Sequence, residues 1–159
     1  AALMKNKGQI IALDIYEWKL AELKRRAKRA GAHNIETRFI EDNKVITRLY
    51  AKADRLLIDA PCSGLGVLKR NPDSKWKIDQ DFIDRIKNEQ QQILQDYSKM
   101  LKKGGKMVYA TCSILPSENN EQVETFLKNN DGFSLIKEEK IMPSDGFDGF
   151  YMALIQRNA

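Results

Sequence analysis

The chain has 159 residues, 42% of them hydrophobic, which is enough for one packed domain. No stretch approaches the roughly 20 apolar residues of a membrane span, and no leader ends in a small-residue cleavage site, so a cytoplasmic protein without a membrane partner is expected. Twenty-seven basic against 22 acidic side chains leave a net charge of +5, which favours an anionic partner such as nucleic acid.

In chain order, Ile10 to Leu13 predicts a strand ending at Asp14, Tyr16 to Ala30 a helix closed by Gly31, and Ile35 to Ile40 a second strand ending near Glu41-Asp42. The basic cluster Lys24 to Arg29 shares its helix with an apolar stripe of Leu20, Leu23, Ala27 and Ala30, and reads as a solvated face. A short helix over Lys44 to Ala51 precedes the strand Arg55 to Ile58. After a loop from Asp59 to Lys77, a long helix is expected over Asp79 to Lys102, on the rhythm Ile83, Ile86, Gln90, Ile93, Tyr97 and Leu101, with Gly104-Gly105 turning the chain out of it.

A strand over Lys106 to Thr111 follows. Pro116-Ser117-Glu118 then opens a helix whose Val123, Phe126 and Leu127 face inward and whose Glu118 and Glu121 suit the positive helix end. Phe133 to Lys137 and Phe150 to Ile155 are the last strands, with Pro143 to Gly149 as a loop between them. This alternation implies an α/β domain over 1–159 with a mainly parallel sheet covered on both faces.

The chain's two cysteines, Cys62 and Cys112, each lie just past an apolar run. Two strands would therefore deliver them to the sheet edge where open α/β folds bind ligands. A lone bridge between them is not the dense pattern of secreted scaffolds, so free thiols are expected. Thiolates are strong nucleophiles, and two at one site could divide attack and later proton removal; either one taken alone could equally be an inert buried thiol. The sole histidine, His33, lies in a helix-to-strand loop, which disfavours papain-like hydrolysis. Two cysteines without a close Cys-x-x-Cys or His partner disfavour zinc. Asp59, held at the strand end by the stiff Ala60-Pro61 segment, could bond an amino-bearing ring or simply cap its loop. Asp14 and Asp42 end strands where nucleotide-binding α/β domains place acids toward ribose and adenine, or they cap the helices that follow.

The segments Asp59-Ala-Pro-Cys62-Ser-Gly-Leu-Gly-Val-Leu-Lys69-Arg70-Asn-Pro-Asp-Ser-Lys75-Trp76 and Tyr109-Ala-Thr-Cys112-Ser-Ile-Leu-Pro-Ser-Glu118-Asn119 closely resemble the Sun/Fmu-type RNA 5-methylcytosine methyltransferases, most of all the ribosomal small-subunit methyltransferase B group. The resemblance runs from about Gly8 to the C-terminus. It implies a Rossmann-like class I fold and an S-adenosylmethionine-dependent enzyme acting on RNA, with rRNA as the expected substrate. It also implies that Cys112 attacks C6 of cytosine, that Asp59 holds the N3/N4 edge, and that Cys62 serves adduct breakdown. Asp14 and Asp42, with Asp59, would bind the cofactor; Pro61, Lys69, Arg70 and Lys75 would contact substrate.

Family members carry a strand and a glycine-rich loop upstream of the segment equivalent to Gln9 to Asp14, and an RNA-binding region before that. Neither is found here. The expectation is an N-terminally truncated catalytic domain, inactive alone, whose sheet lacks its central first strand and which could close the gap by dimerising or strand swapping. A non-catalytic RNA-binding or scaffold module is the alternative. Retention of Asp59, Cys62 and Cys112 together argues against it.

Overall fold

Branched residues open the first strand. In the computed structural model, which describes residues 1–159, β1 (Ile10–Asp14) pairs in parallel with β2 (Ile35–Phe39), from Ile10 opposite Ile35 to Asp14 opposite Phe39. Between them α1 (Glu17–Arg29) carries Glu17 in its first turn and Arg26, Lys28 and Arg29 in its last, charges that oppose the helix dipole. Its basic cluster is solvated as expected, and Glu22 pairs with both Arg25 and Arg26.

These elements and α2 (Asn43–Thr47) form one of two compact units, residues 1–48; residues 49–159 form the other. The α2 helix stops short of the expected Ala51. There the chain turns at positive φ, and the amides of Ala51 and Lys52 donate instead to the carbonyls of Lys99 and Met100.

The second unit contains β3 (Ala53–Asp59), α3 (Ser74–Lys77), α4 (Gln80–Tyr97), β4 (Leu101–Thr111), α5 (Asn120–Lys128), β5 (Phe133–Ile141) and β6 (Phe150–Arg157), with its sheet in the order β3-β4-β6-β5. Only β3 and β4 pair in parallel in it; β6 runs antiparallel to both β4 and β5. β3, β4 and β5 therefore run the same way, as a mainly parallel sheet requires, and β6 alone is reversed. Residues 142–149 join β5 to β6 through nothing longer than the 3-10 turn Pro143–Asp145, and a parallel return needs a crossover of about a dozen residues or more. In the ladders, β1 has one partner, β2, and β3 has one, β4.

The long helix is also shorter than its pattern suggests. α4 ends at Tyr97 and a short 3-10 turn leads into β4, where Leu101 is fully buried and stands opposite Ala53. Gly104 and Gly105 lie inside β4, in a bulge where pairing jumps from Ala53–Leu101 to Arg55–Lys106. Gly104 has φ +73° there, so the pair bends a strand rather than ending a helix.

The core of this unit joins Leu94 of α4, Met107 and Tyr109 of β4, Val123 and Phe126 of α5, and Tyr151, Ala153 and Ile155 of β6. Alternate strand positions face inward, as the pleat requires. Each large apolar side chain so buried stabilises by about 1.5–3 kcal/mol. Asp79 caps α4 by accepting from the Phe82 amide at 2.8 Å, and the helix buries Ile86, Gln90 and Leu94 on one face. Gln90 is the polar member of that stripe. No helix is long and apolar enough to cross a membrane.

Candidate active site

Because β3 and β4 are parallel, with Asp59 opposite Ala110, both release their chains at the same sheet edge. The Ala60 amide extends the ladder by donating to the Ala110 carbonyl at 2.9 Å. Residues 59–63 and 111–113 thereby meet, and Cys62 Sγ lies 3.2 Å from Cys112 Sγ, with both thiols free.

At that distance one thiol proton serves two sulfurs, and the sites titrate as a pair. The hydrogen bond from Cys62 is the main cause that draws Cys112 down to about 7 from its ordinary value, against the opposing effects of burial and of the Asp59 and Glu118 charges. The same bond, followed by burial, pushes Cys62 far up. With Cys112 lowered and Cys62 raised, Cys112 is the thiol of the pair that ionises first. The Asp59 carboxylate beside them is exposed and makes no hydrogen bond or ion pair within the chain.

Beneath the thiols lies a polar floor. Glu118 is fully buried: Oε1 accepts from the Ser63 amide at 2.7 Å and Gln90 Nε2 at 3.3 Å, and Oε2 from the Ser63 hydroxyl at 2.5 Å and from the Ser113 hydroxyl. Asn119, also fully buried, donates from Nδ2 to the Ser113 carbonyl at 2.9 Å and accepts from the Thr111 hydroxyl at 2.5 Å. Gln90 Nε2 further donates to the Pro61 carbonyl at 2.8 Å. Glu118, expected only to suit the positive helix end, has a further role: its 3-10 turn, Pro116–Glu118, precedes α5 and buries the carboxylate. Two signals pointed here, namely Gln90 on an otherwise apolar stripe and a serine directly after each cysteine.

The family model for the 16S rRNA methyltransferase RsmB/F matches residues 1–156. The chain belongs to this family. It is 37% identical over 150 residues to a probable ribosomal RNA small subunit methyltransferase B of Bacillus subtilis, covering 90% of this chain and 34% of that protein. It is likewise 37% identical over 154 residues to the ribosomal RNA small subunit methyltransferase B of Proteus mirabilis, covering 95% and 36%. The chain thus spans about a third of the length of these relatives. Among solved structures, NSun6 from Pyrococcus horikoshii with SFG superposes with a TM-score of 0.87 at 28% identity, covering all of this chain and 44% of that one. A methyltransferase homolog protein from the same organism gives 0.83 at 27%, covering 100% and 56%. The fold is accordingly the Rossmann-like class I methyltransferase fold.

In this RsmB/F chain the remaining expected site residues divide into two groups. Lys69, Arg70 and Lys75 are exposed. Arg70 pairs with Asp148 at 2.8 Å, and Lys75 Nζ stands 4.8 Å from the Trp76 ring centroid. Trp76 is 80% exposed. Asp14 and Asp42 both act locally: Asp14 Oδ1 accepts the Tyr16 amide and Asp42 Oδ1 the Lys44 amide, each at 2.8 Å. Their other oxygens face Lys19 Nζ and Lys44 Nζ at 3.8 Å.

The loop before β6, left without a role by the sequence, is stitched to both cysteine segments. The Gly149 amide donates to the Gly66 carbonyl at 2.7 Å, and the Gly66 amide to the Cys112 carbonyl at 2.9 Å. A side chain on Gly66 would place its Cβ 2.1 Å from the Gly149 carbonyl oxygen, so only glycine fits.

Proposed function

We propose that this chain carries the catalytic part of an RNA (cytosine-C5) methyltransferase that uses S-adenosylmethionine and acts on rRNA through a covalent Cys112 adduct. The observation that carries the reading is the 3.2 Å thiol pair beside an unpaired Asp59 carboxylate, in a chain of the RsmB/F family.

The chemistry follows from the asymmetry of that pair. C5 of cytosine is a weak carbon nucleophile. Attack of the Cys112 thiolate on C6 forms the S–C6 bond and shifts the C5–C6 π electrons toward C5, with Asp59 holding the N3/N4 edge. S-adenosylmethionine, when bound, supplies an electrophilic methyl group. Once Cys112 is a thioether, it no longer opposes ionisation of Cys62, which releases its proton to solvent and becomes a thiolate. It can then take the C5 proton while the S–C6 bond breaks and returns its electrons to Cys112.

Asp14, at the end of β1, is proposed to accept from a cofactor ribose through Oδ2, which in the chain only faces Lys19 Nζ at 3.8 Å. Asp42, in the turn between β2 and α2, is proposed to meet the adenine, and Asp59 is proposed as a further cofactor contact. Lys69, Arg70 and Lys75 offer exposed cations for the RNA backbone, and Pro61 stiffens the segment facing the base. The match of this chain to a structure solved with SFG supports the cofactor class.

Incubation of the intact protein with S-adenosylmethionine and RNA containing 5-fluorocytosine tests this, since C5–F cannot lose a proton and the adduct persists. Cys112→Ala is expected to abolish the covalent complex and Cys62→Ala to retain it. A complex that survives Cys112→Ala overturns the assignment.

A further inference from the structure

We propose that Glu118 is a positioning residue for the reaction: it acts through Ser63 and Ser113 to hold the two cysteine loops at the separation where Cys62 can donate to Cys112. This rests on the reading of Cys112 as the nucleophile.

The contacts of Glu118 end on the cysteine loops rather than on the core at large. Ser63 directly follows Cys62 and supplies two donors, its amide and its hydroxyl; Ser113 directly follows Cys112 and supplies a third. The fourth, Gln90 Nε2, also binds the Pro61 carbonyl on the other side of Cys62. Both loops thus converge on one pair of oxygens. The Glu118 carbonyl accepts the Tyr109 hydroxyl at 2.8 Å, which ties the Glu118 backbone to β4 near its C-terminal end. Asn119 then holds Cys112 from both flanks, through Thr111 and Ser113.

Four donors and no acceptor face Glu118, and no cation pairs with it. That is the complement of an acceptor-only carboxylate. A buried carboxylate without a cation is costly, and packed apolar residues commonly stabilise such a site as well or better. Gln90 carries a similar cost, because its Oε1 is buried without a partner in the protein. What the arrangement secures is geometry: a thiol–thiol hydrogen bond reaches only a short distance, and relaxing either loop breaks it.

The test uses the intact protein without RNA or cofactor. Iodoacetamide labelling of Cys112 and Cys62 is followed by peptide mapping from about pH 5 to about pH 9. Glu118→Gln keeps the shape but turns an amide NH2 toward donors. Its Cys112 inflection is expected to rise from about 7 toward the ordinary thiol value of about 8.5, with labelling at neutral pH falling about tenfold. Ser63→Ala and Ser113→Ala each remove one donor without adding another, and should move the inflection the same way by less. Circular dichroism establishes which variants are folded. A folded Glu118→Gln with an unmoved inflection overturns the proposal; if that variant does not fold, unmoved inflections in both serine variants do so. A purely structural tie would lower stability and leave the profile of the folded protein where it was. Failure of the RNA adduct assay would leave this thiol measurement unaffected, so the two readings fail separately.

Discussion

Cys62 Sγ stands 3.2 Å from Cys112 Sγ, and that contact draws Cys112 below the ordinary thiol value while it pushes Cys62 above it. Neither thiol alone would have this property, since an ordinary cysteine ionises near about 8.5. The reactive form of Cys112 is the deprotonated one, so a lowered pKa makes it available at lower pH. Its labelling in the absence of RNA should be nearly flat above its inflection near 7 and fall about tenfold per pH unit below it. Cys62→Ala removes the donor and should return the inflection to about 8.5. Adduct formation in that variant is then slower at neutral pH even though the adduct persists. A wild-type inflection already at the ordinary thiol value would sink this account.

Gly66 is the next test, because it lies where three segments meet. The backbone of Gly149 and the carbonyl of Cys112 occupy the space a Cβ would need, and backbone cannot move aside as a flexible side chain can. Gly66→Ala should destabilise by about 3 kcal/mol, read as a lowered urea midpoint with little change in slope. Gly132→Ala, where a Cβ meets nothing within 4 Å, is the control and should be close to neutral. Equal stability of the two variants would show that the loop before β6 is not held as described.

What could be read from the chain divides along physical lines. Thiols at the ends of two apolar runs were legible because a buried strand and its exit loop leave a local signature, and the parallel β3–β4 pairing then places both at one edge. The antiparallel β6 was not, since its direction depends on the length of residues 142–149 rather than on any residue type. Leu101 misled because its spacing fits the α4 stripe, whereas tertiary packing assigns it to β4 opposite Ala53. Glu118 was hidden for a different reason: an acid at the start of a helix has an adequate local explanation, and its four donors come from positions up to 55 residues away. The exposure of Trp76 was likewise a tertiary fact.

That exposure gives the last prediction its contrast between two kinds of RNA recognition. Lys69 and Lys75 are exposed cations, and a cation bound to a phosphate displaces a counterion. Lys69→Ala or Lys75→Ala in the intact protein should therefore weaken RNA binding in a salt-dependent way, lowering the slope of log K against log salt by about 0.7 for each phosphate of single-stranded RNA no longer neutralised. Trp76 presents a ring face, and stacking on a base is worth about 1–3 kcal/mol. Trp76→Ala should weaken binding by about tenfold with the salt slope unchanged. Arg70→Ala should fall between the lysine variants and wild type, because its guanidinium already pairs with Asp148 and part of its charge is neutralised before RNA arrives. Fluorescence anisotropy titrations with labelled single-stranded RNA over a range of salt concentrations separate these cases. If Trp76→Ala changes the slope while the lysine variants do not, the division of labour proposed for this surface is wrong.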